Sequence, residues 1–149
     1  MELPRYQIST NEDQTIFWFT SQGPKGNIVK VVIFTPMNEP GVYNLALGDY
    51  NPETDKTDFE NISNNSDRDK VLASVVDTVY GFFANKPEVV LHFKGSDNTR
   101  TRLYQMAIAV FIEELSKDFD IFGKLNGKIL RFTIGINYDA FLIQLKKQS

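Results

Sequence analysis

Cysteine is absent from the 149-residue chain, and histidine and tryptophan occur once each. Without a thiol the chain has no disulfide, no cysteine nucleophile and no thiolate zinc site. The single histidine, His92, has no second imidazole with which to form a paired metal site or a proton relay. We therefore expect neither a metal centre nor a cofactor.

Long apolar runs are also absent. No stretch approaches the roughly 18 apolar residues that cross a bilayer. The first residues, Met1–Tyr6, lack the basic region and apolar run of a signal peptide. These absences predict a cytoplasmic protein with no membrane partner, and the length favours one domain over residues 1–149.

The charge of the chain is acidic overall but unevenly distributed. The net charge is −3 and the isoelectric point is near 5.2. Residues 1–85 contain 6 Lys/Arg and 12 Asp/Glu, whereas residues 86–149 contain 10 and 7. Proteins bind nucleic acid mainly through Lys and Arg contacts with phosphates, so this balance disfavours general nucleic-acid binding. The more basic segment, residues 86–149, includes Arg100 and Arg102.

Alternating apolar residues predict a mainly antiparallel, twisted sheet of about six to eight strands, and two 3.6-residue periodicities predict two amphipathic helices. The order β-β-β-β-α-β-α-β-β-β places the chain in the α+β class. The wide apolar face of the second helix predicts that it is deeply buried. The predicted strands are Tyr6–Ile8, Thr15–Ser21, Asn27–Thr35, Val42–Leu47, Val89–Phe93, Ile121–Leu125, Ile129–Ile136 and Phe141–Leu145, with helices from Ser66 or Asp67 to Asn85 and over Thr99–Lys117.

Residues 49–66 are polar, which predicts a long mobile or functional loop. Five oxygen-bearing residues follow the spacing of a calcium loop: Asp49, Asn51, Glu53, Asp55 and Glu60. Thr54 stands where that loop needs glycine, and a strand instead of a helix precedes the segment. A solvated acidic loop is the better interpretation.

The segment Gly95–Tyr104 joins a predicted strand to a predicted helix. Backbone N–H groups and the positive end of the helix dipole meet there, which suits a phosphate or another anion. The candidate anion-binding residues are Ser96, Thr99, Arg100, Thr101 and Arg102. In the alternative interpretation Ser96, Asp97 or Thr99 caps the helix, while the arginines contact acidic loops or solvent.

Three further residues are accessory candidates: Tyr104, Asp49 and His92. Asp49 and His92 would serve general acid–base catalysis only if the fold brought them together.

Phe17, Trp18 and Phe19 are consecutive in a predicted strand, so their rings point to opposite faces of the sheet. Core on both faces is the favoured interpretation, and an exposed aromatic surface is the alternative.

One comparison with a known family rests on five groups of residues. They are Tyr43-Asn44-Leu45, Gly48-Asp49, Gly95-Ser96, Arg100-Thr101-Arg102-Leu103-Tyr104, and Tyr138 with Phe141-Leu142. Together they resemble a family of bacterial proteins of about this size that is known as a domain of unknown function. The resemblance extends over nearly the whole chain. It implies a stand-alone bacterial cytoplasmic protein, and it implies no activity.

Three functional hypotheses remain open. The first is a small binding or regulatory module whose corner at 95–104 holds a phosphate-bearing small molecule or an acidic group of a protein partner. The second is an enzyme acting on a phosphorylated substrate or nucleic acid. The third is a structural or protein-interaction domain that forms a homodimer.

Overall fold

The computed structural model describes residues 3–147, and the α+β class is confirmed there. Nine strands and three helices lie in this part of the chain, and the strands form an open, mostly antiparallel sheet. The strands are β1 (Ser9–Thr10), β2 (Ile16–Gly23), β3 (Gly26–Pro36), β4 (Val42–Asn51), β5 (Lys56–Asp58), β6 (Val90–Phe93), β7 (Phe119–Leu125), β8 (Lys128–Arg131) and β9 (Ala140–Leu145). The helices are α1 (Arg68–Asn85), α2 (Asn98–Val110) and α3 (Ile112–Asp118).

The described residues group into two units. The first contains residues 3–35 and 46–85, and the second contains residues 36–45 and 86–147. Strand β4 contributes residues to both. The single domain expected over 1–149 stays a prediction. None of the helices in residues 3–147 is long and apolar enough to cross a bilayer.

In the first unit the strands follow the order β1-β2-β3-β4, with β5 paired to β4. Strands β2 and β3 form a hairpin, and Gly23 pairs with Gly26 across its turn. Phe17 and Phe19 are buried on one face of β2, whereas Trp18 on the other face is 39% exposed. The alternative of an exposed aromatic surface is therefore the one observed.

The expected opening strand at Tyr6–Ile8 is wrong, because Tyr6 is bound by side chains of the α1 region. Its backbone N–H donates to Ser74 Oγ (2.8 Å), its hydroxyl donates to Asp67 Oδ2 (2.6 Å), and its ring stacks on Phe19. A backbone N–H that is bonded to a helix side chain is not available to a neighbouring strand. The first strand lies instead at Ser9–Thr10.

The expected loop at residues 49–66 is shorter in the structure. Strand β4 continues to Asn51, and Lys56–Asp58 pairs back with it as β5. A hairpin therefore occupies the part of this segment that carries most of the calcium-like spacing.

In the second unit the order is β4-β6-β9-β7-β8, and β4–β6 is the parallel pair. Leu91 and Phe93 of β6 are buried on one face, whereas His92 on the other face is half-buried. Strands β7 and β8 form a hairpin whose turn is Asn126-Gly127, and both turn residues have positive φ, 51° and 78°. These are the conformations of a type I′ turn, which glycine and asparagine adopt most easily.

The single helix predicted over Thr99–Lys117 is two helices. Phe111, with φ −101° and ψ 14°, separates α2 from α3 and is buried. The expected deep burial is also wrong for α2, because only Thr101, Tyr104 and Ile108 are buried and Val110 is 56% exposed.

The strand predicted over Ile129–Ile136 ends at Arg131. The Phe132 N–H still donates to the Ile121 carbonyl of β7 (3.0 Å), and the buried side chain of Tyr138 holds the chain beyond that point. Its hydroxyl accepts from the Thr133 N–H (2.9 Å) and donates to the Arg131 carbonyl (3.3 Å). Residues 132–139 consequently form a loop in which Ile134 is 63% exposed.

Candidate functional site

The corner at residues 95–104 contains an anion that belongs to the chain itself. Asp97 is the N-cap of α2, and its Oδ1 accepts a hydrogen bond from the Arg100 N–H at 2.8 Å. A carboxylate at this position satisfies a backbone donor and complements the positive end of the helix dipole. The capping interpretation is therefore realised by Asp97.

Thr101 is buried, and both of its hydrogen-bonding roles are used within the corner. Its Oγ1 accepts from the Gly95 N–H at 3.1 Å and donates to the Asp97 carbonyl at 3.0 Å. The hydroxyl thus ties the end of the β6 segment to the first turn of α2. Thr101 acts here as a structural residue.

The structure brings Ser96 and Arg100 together on the outside of this corner. Nη1 of Arg100 donates to Ser96 Oγ at 3.2 Å, and Ser96 and Thr99 are exposed. Of the five candidate anion-binding residues, Ser96, Thr99 and Arg100 therefore lie on the surface of the corner. The assignment of an anion to them stays a prediction.

Arg102 points away from the corner towards the loop at 132–139. Its Nη1 donates to Gln105 Oε1 at 2.7 Å, and its Nη2 donates to the Tyr138 carbonyl. Gln105 holds the same loop, because its Nε2 donates to the Ile136 carbonyl at 2.7 Å and its Oε1 accepts from the Tyr138 N–H at 3.1 Å. These bonds hold the guanidinium in one position.

The charge of Arg102 has no carboxylate partner among residues 3–147. Ion pairs in this part of the chain include Arg5–Asp77, Lys30–Asp49, Arg68–Asp69 and Arg131–Asp120, and none of them involves Arg102. Arg102 is half-buried, and both of its acceptors are neutral oxygens. A half-buried cation held only by neutral groups favours a nearby anion.

A groove of about 310 Å³ lies beside Arg102, between α2 and the loop after β8. The residues contributed by α2 follow the i, i+3, i+4, i+7 spacing of one helix face. The lining consists of Arg102, Gln105, Met106, Ala109, Phe132, Ile134, Gly135 and Asn137. The sequence reasoning missed this groove, because it placed residues 129–136 in a strand. Gly135-Ile136-Asn137, which is turn-like in composition, is the signal that could have revealed the loop.

His92 lies on β6, half-buried, with Nδ1 3.4 Å from Asn44 Oδ1. Burial lowers the pKa of His92 below its ordinary 6.5, and the positive charges of Lys124 and Lys94 lower it further. At neutral pH the imidazole is therefore uncharged.

We expect Lys124→Gln to raise the pKa of His92 towards 6.5, because a nearby positive charge is removed. Since His92 is the only histidine, an NMR titration of its ring protons needs no assignment. Lys128→Gln, on the neighbouring strand, is the control and should leave the pKa of His92 unchanged.

The lowered pKa of His92 also predicts how stability depends on pH. In wild type the imidazole binds a proton more readily in the unfolded chain than in the folded one, so the free energy of unfolding should decrease as the pH falls below 6.5. A wild-type pKa of 6.5 or above would contradict this prediction.

Asp49, an accessory candidate, forms a buried ion pair in the first unit. Its Oδ1 accepts from Lys30 Nζ at 2.7 Å, and its Oδ2 accepts from the Ser63 N–H at 2.7 Å. Lys30 Nζ also donates to the Ser63 carbonyl at 2.8 Å. Both carboxylate oxygens are thus used to hold the segment after β5 against β3 and β4.

Tyr104, the remaining accessory candidate, is a core residue of the second unit. It is buried, and its ring meets Phe93 edge-to-face at 5.8 Å. Its neighbours in the Arg100–Tyr104 string therefore have separate structural roles: Thr101 closes the corner and Arg102 holds the loop.

The chain matches a described family over residues 2–146 of 149, under the description "Family of unknown function (DUF6934)". The chain belongs to the DUF6934 family. The resemblance to a family of unknown function is thereby confirmed. No curated protein and no solved structure matches the chain. For this DUF6934 member, the argument about function consequently rests on the geometry of its own side chains.

Proposed function

We propose that this DUF6934 chain is a binding module whose groove between α2 and residues 132–137 holds a small ligand with an apolar body and an acidic group. The observation that carries the proposal is Arg102, a half-buried guanidinium on the groove wall with neutral hydrogen-bond partners. A small molecule that bears a phosphate and an apolar group belongs to this class.

The apolar part of the ligand follows from the exposed side chains of the groove. Met106 is 37% exposed and Ile134 is 63% exposed, and the apolar residues Ala109 and Phe132 also line the groove. Covering such surface is favourable by about 25 cal/mol per Å². The volume of about 310 Å³ lies at the small end of the range for ligand pockets.

The acidic part of the ligand follows from the chemistry of arginine. A guanidinium stays charged at all physiological pH values and offers several N–H donors in one plane. Two of these donors hold Gln105 and Tyr138, which orients the plane before a ligand arrives. A carboxylate or phosphate accepting from the remaining donors would make charge-assisted hydrogen bonds.

The composition of the groove favours binding over catalysis. Its eight lining residues include no Asp, Glu, His, Ser, Thr, Tyr or Lys. General acid–base or nucleophilic chemistry requires such a group within hydrogen-bond reach of the ligand. The enzyme hypothesis therefore receives no support from this groove.

The proposal can be tested with decanoate as the probe, decyl phosphate as a second acid and decanol as the uncharged control, by calorimetric titration. We expect both acids to bind at least tenfold more tightly than decanol. Ala109→Asp should weaken decanoate binding about tenfold, because like charges repel in the groove, whereas the isosteric Ala109→Asn should change it less than threefold. Circular dichroism verifies that both variants are folded.

Two results would overturn the proposal. One is equal affinity for decanoate and decanol, which would remove the role of Arg102. The other is equal binding by Ala109→Asp and Ala109→Asn, which would place the probe outside the groove.

A further inference from the structure

The second unit has a sheet face on which polar and planar side chains form one row. The strand register aligns Asn44 of β4, His92 of β6, Leu142 of β9, Phe122 of β7 and Arg131 of β8. In this row Asn44, His92, Leu142 and Phe122 are half-buried, and Arg131 is exposed. We call these five residues the cross-strand row.

The opposite face of the same strands forms the core of the unit. Leu91, Phe93, Phe141 and Ile143 are buried there, and Tyr104 of α2 packs on Phe93. Because side chains alternate along a strand, the cross-strand row points away from this helix. The row therefore lies on the face opposite this helix, where its side chains are half-buried except for the exposed Arg131.

Two planar groups stand on the row. The Arg131 guanidinium lies over the Phe122 ring at 5.3 Å, and its side chain is 71% exposed. The His92 imidazole lies two strands away from Phe122, a distance of about 10 Å at ordinary strand spacing. Nucleic-acid bases stack on both guanidinium planes and imidazole rings.

Positive charge surrounds these groups. Lys94 and Lys124 are exposed, and both are close enough to act electrostatically on His92. Two acidic residues lie near these groups: Asp120, which pairs with Arg131 at 3.2 Å, and the exposed Asp139, whose backbone N–H donates to the Lys124 carbonyl at 2.7 Å. Phosphates of a flexible strand could approach the two lysines while bases cover the row.

We propose that the cross-strand row binds single-stranded nucleic acid, with Arg131 and His92 as stacking platforms and Lys94 and Lys124 as phosphate contacts. A single strand fits better than a duplex, because the planar groups require unpaired bases. The acidic net charge of the whole chain opposes general nucleic-acid binding, so the affinity depends on this local arrangement and on salt. The site lies on a different surface from the groove beside Arg102.

Fluorescence anisotropy with a labelled deoxythymidine 12-mer in low salt tests the proposal. We expect the double variant Lys94→Gln/Lys124→Gln to bind about tenfold more weakly than wild type. The slope of log affinity against log salt should become shallower by about 1.4, for two lost phosphate contacts. The matched control is Lys128→Gln, since Lys128 is exposed on β8 but pairs with Leu125, in the register of the opposite face. It should change affinity less than twofold.

Stacking is tested separately with His92→Leu, which replaces the imidazole ring by an aliphatic side chain of similar size that cannot stack. We expect a loss of at least fivefold with an unchanged salt slope, because no phosphate contact is removed. The proposal is overturned if wild type does not bind the 12-mer. It is also overturned if a duplex of the same length binds equally well, or if Lys128→Gln weakens binding as much as the double variant.

Discussion

Replacing Asp49 by Ala should lower the free energy of unfolding by about 3–5 kcal/mol, the largest single effect that we expect in this protein. The substitution leaves the Lys30 ammonium, whose side chain is 1% exposed, without its counter-charge. It also removes the acceptor of the Ser63 N–H. An isolated buried charge is costly because water no longer solvates it.

Urea unfolding of three variants measures this effect. The double variant Lys30→Met/Asp49→Leu removes both charges and should recover most of the loss, since replacing a buried pair by apolar groups is often neutral. The matched surface control is Asp69→Ala, whose partner Arg68 is 54% exposed in its side chain. That control should change stability by less than about 0.5 kcal/mol. A loss below about 1 kcal/mol for Asp49→Ala would show that the pair is solvated in solution.

Replacing Gly95 by Ala should lower the free energy of unfolding by about 1–3 kcal/mol, the cost of overpacking a tight site. A Cβ on Gly95 would lie 2.6 Å from the Arg100 carbonyl carbon and still closer to the Thr101 nitrogen. These are backbone atoms at the start of α2, so no side-chain rotation relieves the contact. The Gly95 N–H bond to Thr101 would be stretched as the corner opens.

Thermal unfolding compares Gly95→Ala with Ser96→Ala, its exposed neighbour. Ser96→Ala should shift stability by no more than about 0.5 kcal/mol. Because the groove is lined by other residues, Gly95→Ala should still bind decanoate at temperatures where it is folded. Equal stability of the two variants would contradict the close packing of the corner.

Much of the fold follows from local patterns. The alternation in β2 and β3, the Asn126-Gly127 turn and the apolar β6 each depend on residues that are adjacent in sequence. Strand and turn preferences of this kind are short-range, so the sequence predicts them well. The helix break at Phe111 and the end of β8 are different, because the apolar periodicity continues through both points and so does not mark them.

At the candidate site, too, the sequence predicts the local features but does not predict the contacts between residues that are far apart in sequence. The sequence identifies Ser96, Arg100, Thr101 and Arg102 as a polar cluster at the start of a helix, and this placement is correct. It does not identify their partners. Arg102 is directed by Gln105 and by the Tyr138 carbonyl, 36 residues away along the chain. Hydrogen bonds over such separations are a consequence of folding and have no local signature.

By itself, the sequence determined the α+β class, most strand positions and the polar start of α2, because periodicity, turn residues and helix caps act over a few residues. The sequence offered Ser96, Asp97 or Thr99 as the cap, and the structure selects Asp97. The tertiary structure alone decided that Arg102 belongs to a groove. The physical reason is that a polar group takes the partner that packing brings within about 3 Å. Tyr138, buried within the loop at residues 132–139, supplies the carbonyl that Arg102 binds.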